Sequence, residues 1–161
     1  MNLTIVGLGP GDPKLLTLEA QDVLANAPVV YVRTRKHPTV DALPATAAVH
    51  SFDRFYEEYD DFAQVYAAIA REVIRLAQGE AGVVYAVPGH PLAGERSVLL
   101  ALQMAREAGI PVRIVEGLSF IEPALSALGV DALDGLQIAD ATETALLHHP
   151  RLDPDRPALL A

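Results

Sequence analysis

Residues 3–32 read LTIVGLGPGDPKLLTLEAQDVLANAPVVYV. Leu3 to Gly7 is a short apolar run that ends in glycine, and beyond it Leu15, Leu18, Val23 and Leu24 recur at roughly helical spacing before the β-branched run from Val29 to Val32. The order implies a strand, a tight loop, a helix and a second strand. Strands joined through a helix must pair in parallel, because the crossover brings the chain back running in the same direction.

The same alternation continues. AAVHSF is a weak third strand, reached through HPTVDALP, a turn or brief helix between prolines. DFAQVYAAIAREVIRLAQ, Asp61 to Gln78, sets Phe62, Val65, Ile69, Val73 and Leu76 on one face. Asp60 or Asp61 is its N-cap and Gly79 its terminator. That face is expected to pack on a parallel sheet holding Ile5, Val30 and Val84. GVVYAVPGH then gives a buried strand, GERSVLLALQMAREAG a helix closed by Gly109, and PVRIVEG another strand. The fold class is α/β, with a parallel-sheet N-terminal domain over residues 1–115. After Glu116, LSFIEPALSALGV reads as a helix, GLQIADA and PALLA read as strands, and residues 116–161 are expected to be the start of an incomplete second α/β domain.

Composition narrows the chemistry. With 161 residues, 51% of them hydrophobic, the chain buries one substantial core and begins a second. A net charge of −9 excludes a general grip on nucleic acid phosphates or on an anionic membrane. No cysteine is present, so thiolate metal sites and cysteine nucleophiles are excluded, and the absence agrees with a reducing compartment. No basic leader or long apolar run opens the chain, which is expected to be cytoplasmic and to act on a small molecule.

The first loop is not a dinucleotide or P-loop fingerprint. Gly7, Gly9 and Gly11 alternate, Asp12 takes the place of a third glycine, Pro10 has no N–H to offer, and the second strand ends in Arg33, Arg35 and Lys36 rather than in an acid. What remains is backbone brought close to a ligand, with Asp12 free to cap the following helix, or else a tight structural turn.

Three stretches, GLGPGDPKLLT, VVYAVPGHPLAGERS and VEGLSFIEPA, resemble in order and spacing the signature loops of the tetrapyrrole (corrin/porphyrin) methylase family. RTRKHPTV and SFDRFYEEYDDFAQVY are similar to segments of the methylase-like domain fused ahead of MazG-type nucleotide pyrophosphohydrolases. The resemblance implies two α/β domains with S-adenosylmethionine between them. Its cofactor contacts fall on Gly9, Pro10 and Gly11, on Pro88, Gly89, His90 and Ala93, and on Ser119 and Phe120. His90 stands where most members have aspartate, and Phe120 where a small residue is usual. Further contacts lie in the second half of the family's C-terminal domain, which the chain is expected to lack. A homodimer is also implied, and the open sheet edge expected at PALLA points the same way.

His90, between a glycine and a proline at the end of a strand, is the candidate catalytic residue, as a donor to the cofactor or as a base. Arg33, Arg35 and Lys36 form the one basic cluster. Arg33 and Arg35 are candidates to bind a substrate bearing carboxylates or phosphates. His50, His148 and His149 read as packing or solvated residues. The acids Asp53, Glu57, Glu58, Asp60 and Asp61 read as a charge run at a helix start, and no metal is expected. Two functions follow: a methyltransferase of unspecified acceptor, or a non-catalytic binding or regulatory domain attached to a MazG-type pyrophosphohydrolase.

Overall fold

The computed structural model describes residues 1–161 and divides into two compact units, Met1–Ser119 and Phe120–Ala161. In the first unit the elements run β1 (Leu3–Gly7), α1 (Leu18–Asn26), β2 (Val29–Val32), β3 (Ala48–Ser51), α2 (Arg54–Glu58), α3 (Phe62–Ala77), β4 (Val83–Val87), α4 (Arg96–Glu107) and β5 (Val112–Val115). The strands form one sheet in the order β3-β2-β4-β1-β5, every pair parallel. Gly7 lies opposite Val87, and Val6 opposite Val115, so β1, β4 and β5 end at the same level.

Alternation along the strands sends their side chains to two cores. Leu3, Ile5, Val83, Tyr85 and Val87 pack with α3 and α4, through Val65, Ile69, Val73, Val98 and Ala101. Val6, Leu8, Val30, Val32, Ala86 and Val115 pack with α1, through Ala20 and Leu24. The sheet on which α3 packs is the expected one, with Ile5, Val30 and Val84 on parallel strands. Within it Ile5 faces α3, and Val30 and Val84 turn to the opposite face. Phe62 leaves the core as well, being 64% exposed, and stacks on Tyr66 with ring centres 6.1 Å apart.

Two caps differ from expectation. Asp12 caps the single 3-10 turn Pro13–Leu15, accepting from Lys14 N at 2.9 Å, while Thr17 caps α1 by accepting from Ala20 N at 3.1 Å. Gly79 does not end α3 in a left-handed conformation; the helix closes at Gln78, which is still right-handed. Asp61 is the N-cap of α3, and Gly109, with φ +67°, follows α4. The segment HPTVDALP holds a 3-10 helix, Pro38–Ala42.

The second unit contains α5 (Ile121–Leu128), β6 (Gln137–Ala139), α6 (Ala141–Leu146) and β7 (Ala158–Leu160), with β6 and β7 parallel. Helix α6, capped by Asp140 through the Glu143 N–H at 2.8 Å, had no clear signature in the sequence. His148 and His149 follow it, exposed. No helix is long and apolar enough to cross a membrane.

Candidate functional site

Helix α1 leaves β1 toward one face of the sheet and α4 leaves β4 toward the other, although β1 and β4 are neighbours. Their outgoing loops must diverge, and a crevice opens where the connections reverse. The loops Gly7–Asp12 and Pro88–Glu95 flank this point, and the loop after β5 adjoins it.

Glycine lets the three loops meet. A Cβ built on Gly7 would stand 2.6 Å from the Gly89 carbonyl oxygen and 2.7 Å from Gly117 N; one built on Gly117 would stand 2.5 Å from the same Gly89 oxygen. Beyond the last ladder bond, Leu8 N to Val87 O at 2.8 Å, Gly9 and Gly89 exchange N–H···O bonds of 3.2 and 2.8 Å. Thr17 Oγ1 donates to the Glu116 carbonyl at 3.1 Å, tying α1 to the third loop. Because Gly9 and Gly89 spend their N–H groups on each other, both can serve a ligand by leaving space but not by donating. Gly117 was not singled out in the sequence, although a glycine two residues after a strand was a signal.

His90 is half-buried, and its Nδ1 accepts from Leu92 N at 3.0 Å while its carbonyl accepts from Ala93 N at 3.0 Å. A neutral imidazole held this way carries its proton on Nε2. The geometry therefore presents a donor, and a base role would require giving up the bond to Leu92. Pro10 and Ala93 are partly exposed on their loops, and Ser119 is buried at the end of the first unit. Phe120 belongs to the second unit.

Arg33 and Arg35 part company. Arg35 donates its guanidinium to the Val49 carbonyl and its backbone N–H to Asp53 Oδ2. Arg33 lines a pocket of about 310 Å³ with Thr34, Lys36, Asp53, Tyr56 and Glu57. Its Nη1 donates to Tyr56 Oη at 2.8 Å, and its Nε lies 3.2 Å from the carboxylate of Glu95, which is only 7% exposed. Sequence reasoning missed Glu95 and Tyr56. Three buried polar atoms at or beyond this strand end make no hydrogen bond: Arg33 Nε, His37 Nδ1 and Thr39 Oγ1. Burial and the charge of Arg33 hold His37 below the usual imidazole range, against the pull of the Gly9 carbonyl.

Burial pushes the Glu95 carboxyl up to about 7, with Arg33 offsetting only part of the cost. A carboxyl raised on folding stabilises the fold fully below its ordinary value and loses that contribution as pH rises through about 7. Going from pH 5 to pH 8 is expected to cost about 3 kcal/mol through this group. Urea unfolding across that range should show the loss in the native protein and a flatter profile in Glu95→Gln; identical profiles would refute it.

A family model described as tetrapyrrole (corrin/porphyrin) methylases matches residues 2–160. The chain is 37% identical over 153 residues to the uncharacterized protein YabN of Bacillus subtilis (strain 168), covering 91% of this chain and 31% of YabN. It is 34% identical over 119 residues to a siroheme synthase of Gluconobacter oxydans (strain 621H), covering 71% of this chain and 24% of that protein. The chain thus spans a quarter to a third of these curated relatives. Among solved structures, uroporphyrin-III C-methyltransferase from Thermus thermophilus superposes with a TM-score of 0.68 at 32% identity, over 94% of this chain and 65% of that one. A uroporphyrin-III C-methyltransferase from Thermus thermophilus complexed with S-adenyl homocysteine gives 0.56 at 27% identity, over 86% and 54%.

Proposed function

Because the chain belongs to the tetrapyrrole (corrin/porphyrin) methylase family, we propose that it is an S-adenosylmethionine-dependent methyltransferase acting on a small acidic acceptor. The observation that carries this reading is the glycine-stitched meeting of three loops where the sheet's connections reverse. In α/β sheets a reversal of the connections at the strands' carboxyl ends is where ligands bind.

Gly9, Pro10, Gly11, Pro88, Gly89, His90, Ala93 and Ser119 would hold the cofactor. Gly11, at φ +125°, keeps its surface open, since a Cβ there would meet only the Pro38 ring at 3.7 Å. When bound, the cofactor supplies an electrophilic methyl group, so the protein needs no covalent nucleophile. His90 Nε2 donates to a polar atom of a bound molecule, and Arg33 anchors an acidic group of the acceptor. Arg35 serves by fixing the segment that carries Arg33.

S-adenosylhomocysteine titrated by calorimetry tests the reading. Ala93→Phe is the chosen variant, because Ala93 is partly exposed on the loop after β4, outside the buried core. A loss of affinity of at least roughly tenfold is expected. Gly89→Val would be ambiguous, since Gly89 has φ +64° and a β-branched residue there is strained whether or not a ligand binds. No binding by the native chain, or binding indifferent to Ala93→Phe, overturns the proposal.

A second reading, a regulatory domain joined to a MazG-type pyrophosphohydrolase, rests on the resemblance of RTRKHPTV and SFDRFYEEYDDFAQVY to that subgroup. It differs in outcome: cofactor binding without methyl transfer to any acceptor.

A further inference from the structure

Glu95 has no task in methyl transfer, yet it is the one carboxylate of the first unit's buried set. It stands at the N-cap of α4 without capping it. Its carboxylate approaches Arg33 from one side only, 3.2 Å from Nε, and that Nε makes no aligned hydrogen bond. A well-matched carboxylate takes two parallel N–H bonds from a guanidinium. Arg33 is therefore neutralised by Glu95 but poorly matched by it.

The pocket of about 310 Å³ beside Arg33 offers the missing match. Arg33 and Lys36 contribute positive charge to its wall, and Thr34 and Tyr56 contribute hydroxyls. Of its two acids, Asp53 is already spent, accepting from Arg35 N at 2.9 Å and held below the usual carboxylate range by hydrogen bonds from Thr34, Arg35 and Ser51. Glu57 is the other, on the exposed rim.

We propose that this pocket is a receptor for an acidic ligand group, a carboxylate or a phosphate, that replaces Glu95 as the counter-ion of Arg33. The inference rests on the reading of Arg33 as the acceptor's anchor and deepens it, adding the displaced counter-ion and a linked proton, and it is read without cofactor. As the ligand's acid takes over the guanidinium, Glu95 loses its only cation and takes up a proton from solvent. The proton balance is one gained per acidic group bound.

The other groups around Glu95 do not compete for that role. Arg33 stays charged, its burial outweighed by Glu95 and the tyrosines. Burial pushes the phenols of Tyr56 and Tyr85 up, and Tyr85 is bonded to Ser97 Oγ at 2.8 Å. His37 is pushed down. Lys36 and Glu57 line the pocket, and Arg96 follows Glu95 on the exposed side of α4. Binding should therefore strengthen as pH falls from 8.5 to 6.5, by roughly tenfold for a group that changes charge near neutrality.

The experiment titrates sulfate and benzoate, neither of which changes charge over this range, into the full chain without cofactor. Binding is read from the Arg33 Nε–H resonance and from calorimetry in two buffers of different ionisation enthalpy. Expected are a shift of that resonance, about tenfold tighter binding at pH 6.5, and uptake approaching one proton above pH 7. Benzoate outranking sulfate marks a carboxylate ligand, and the reverse order a phosphate. Arg33→Gln should lose binding at least roughly tenfold, and Glu95→Gln should bind at pH 8.5 as tightly as the native chain does at pH 6.5. Failure of both anions to bind, or native binding that takes up no proton, overturns the proposal whatever the variants do. Neither result touches the S-adenosylhomocysteine titration, which tests the cofactor site separately.

Discussion

Gly117→Ala is expected to destabilise the first unit by about 3 kcal/mol or more, at the upper end of what overpacking costs. The added Cβ would lie 2.5 Å from the Gly89 carbonyl oxygen and 2.9 Å from both Gly7 C and Gly7 Cα. These neighbours are backbone and cannot rotate aside. Relief requires the loops after β1, β4 and β5 to separate, which would break the exchange of hydrogen bonds between Gly9 and Gly89. The control is Gly109→Ala, where φ is +67° but nothing lies within 4 Å of the new Cβ. Its cost is the left-handed penalty alone, about 1–2 kcal/mol. Urea unfolding of both variants decides the matter: a Gly117→Ala loss no larger than that of Gly109→Ala would mean that the three loops are not in contact. The same variant should weaken S-adenosylhomocysteine binding, since the cradle and the contact are one structure.

The architecture was legible because its signals are local. Glycine after an apolar run, a helical repeat of Val65, Ile69 and Val73, and β-branched strands each fix an element within a dozen residues. What could not be read was the side of the sheet each element takes. Strands buried on both faces show continuous apolar runs, so nothing in VVYV or GVVYAV says that Val30 and Val84 turn away from α3 while Tyr85 turns toward it. Phe62 has the spacing of a core residue, but it is the first residue of α3. No strand reaches under it there, and neighbouring tyrosines shelter it instead.

In the site, the glycine loops were visible and the charge network was not. A glutamate just before an apolar helix reads as a solvated helix-start charge. Only the return of β2 beside β4 brings Arg33 to Glu95 and buries the acid. Arg33 and Arg35 look equivalent in RTRK, yet the turn after β2 gives one to the pocket and the other to the Val49 carbonyl. Their difference is set by β3, an edge strand whose weak signal carries no hint of which arginine it will hold.

Ile69→Ala is expected to cost about 2–5 kcal/mol, the range for truncating a fully buried isoleucine. Ile69 has no exposed surface and lies in the core that joins α3 to Leu3, Ile5, Tyr85 and Val87, with Val98 and Ala101 of α4 in the same cluster. The hole cannot close easily, because a parallel sheet fixes one wall and a second helix fixes another. The value within the range depends on how far α4 can settle toward the gap. Phe62→Ala, on the same helix, removes a larger side chain that is 64% exposed and should cost about 1 kcal/mol or less, mainly from lost ring contacts. The order of the two losses is the test, since sequence periodicity alone puts both residues on one buried face. Equal losses would place α3 in a different rotation on the sheet. Because Ile69 lies on the opposite face from the α1 core, the folded variant should keep its S-adenosylhomocysteine affinity at temperatures well below its melting point. A loss of affinity there would mean that the packing of α3 is coupled to the loops at the ends of β1 and β4.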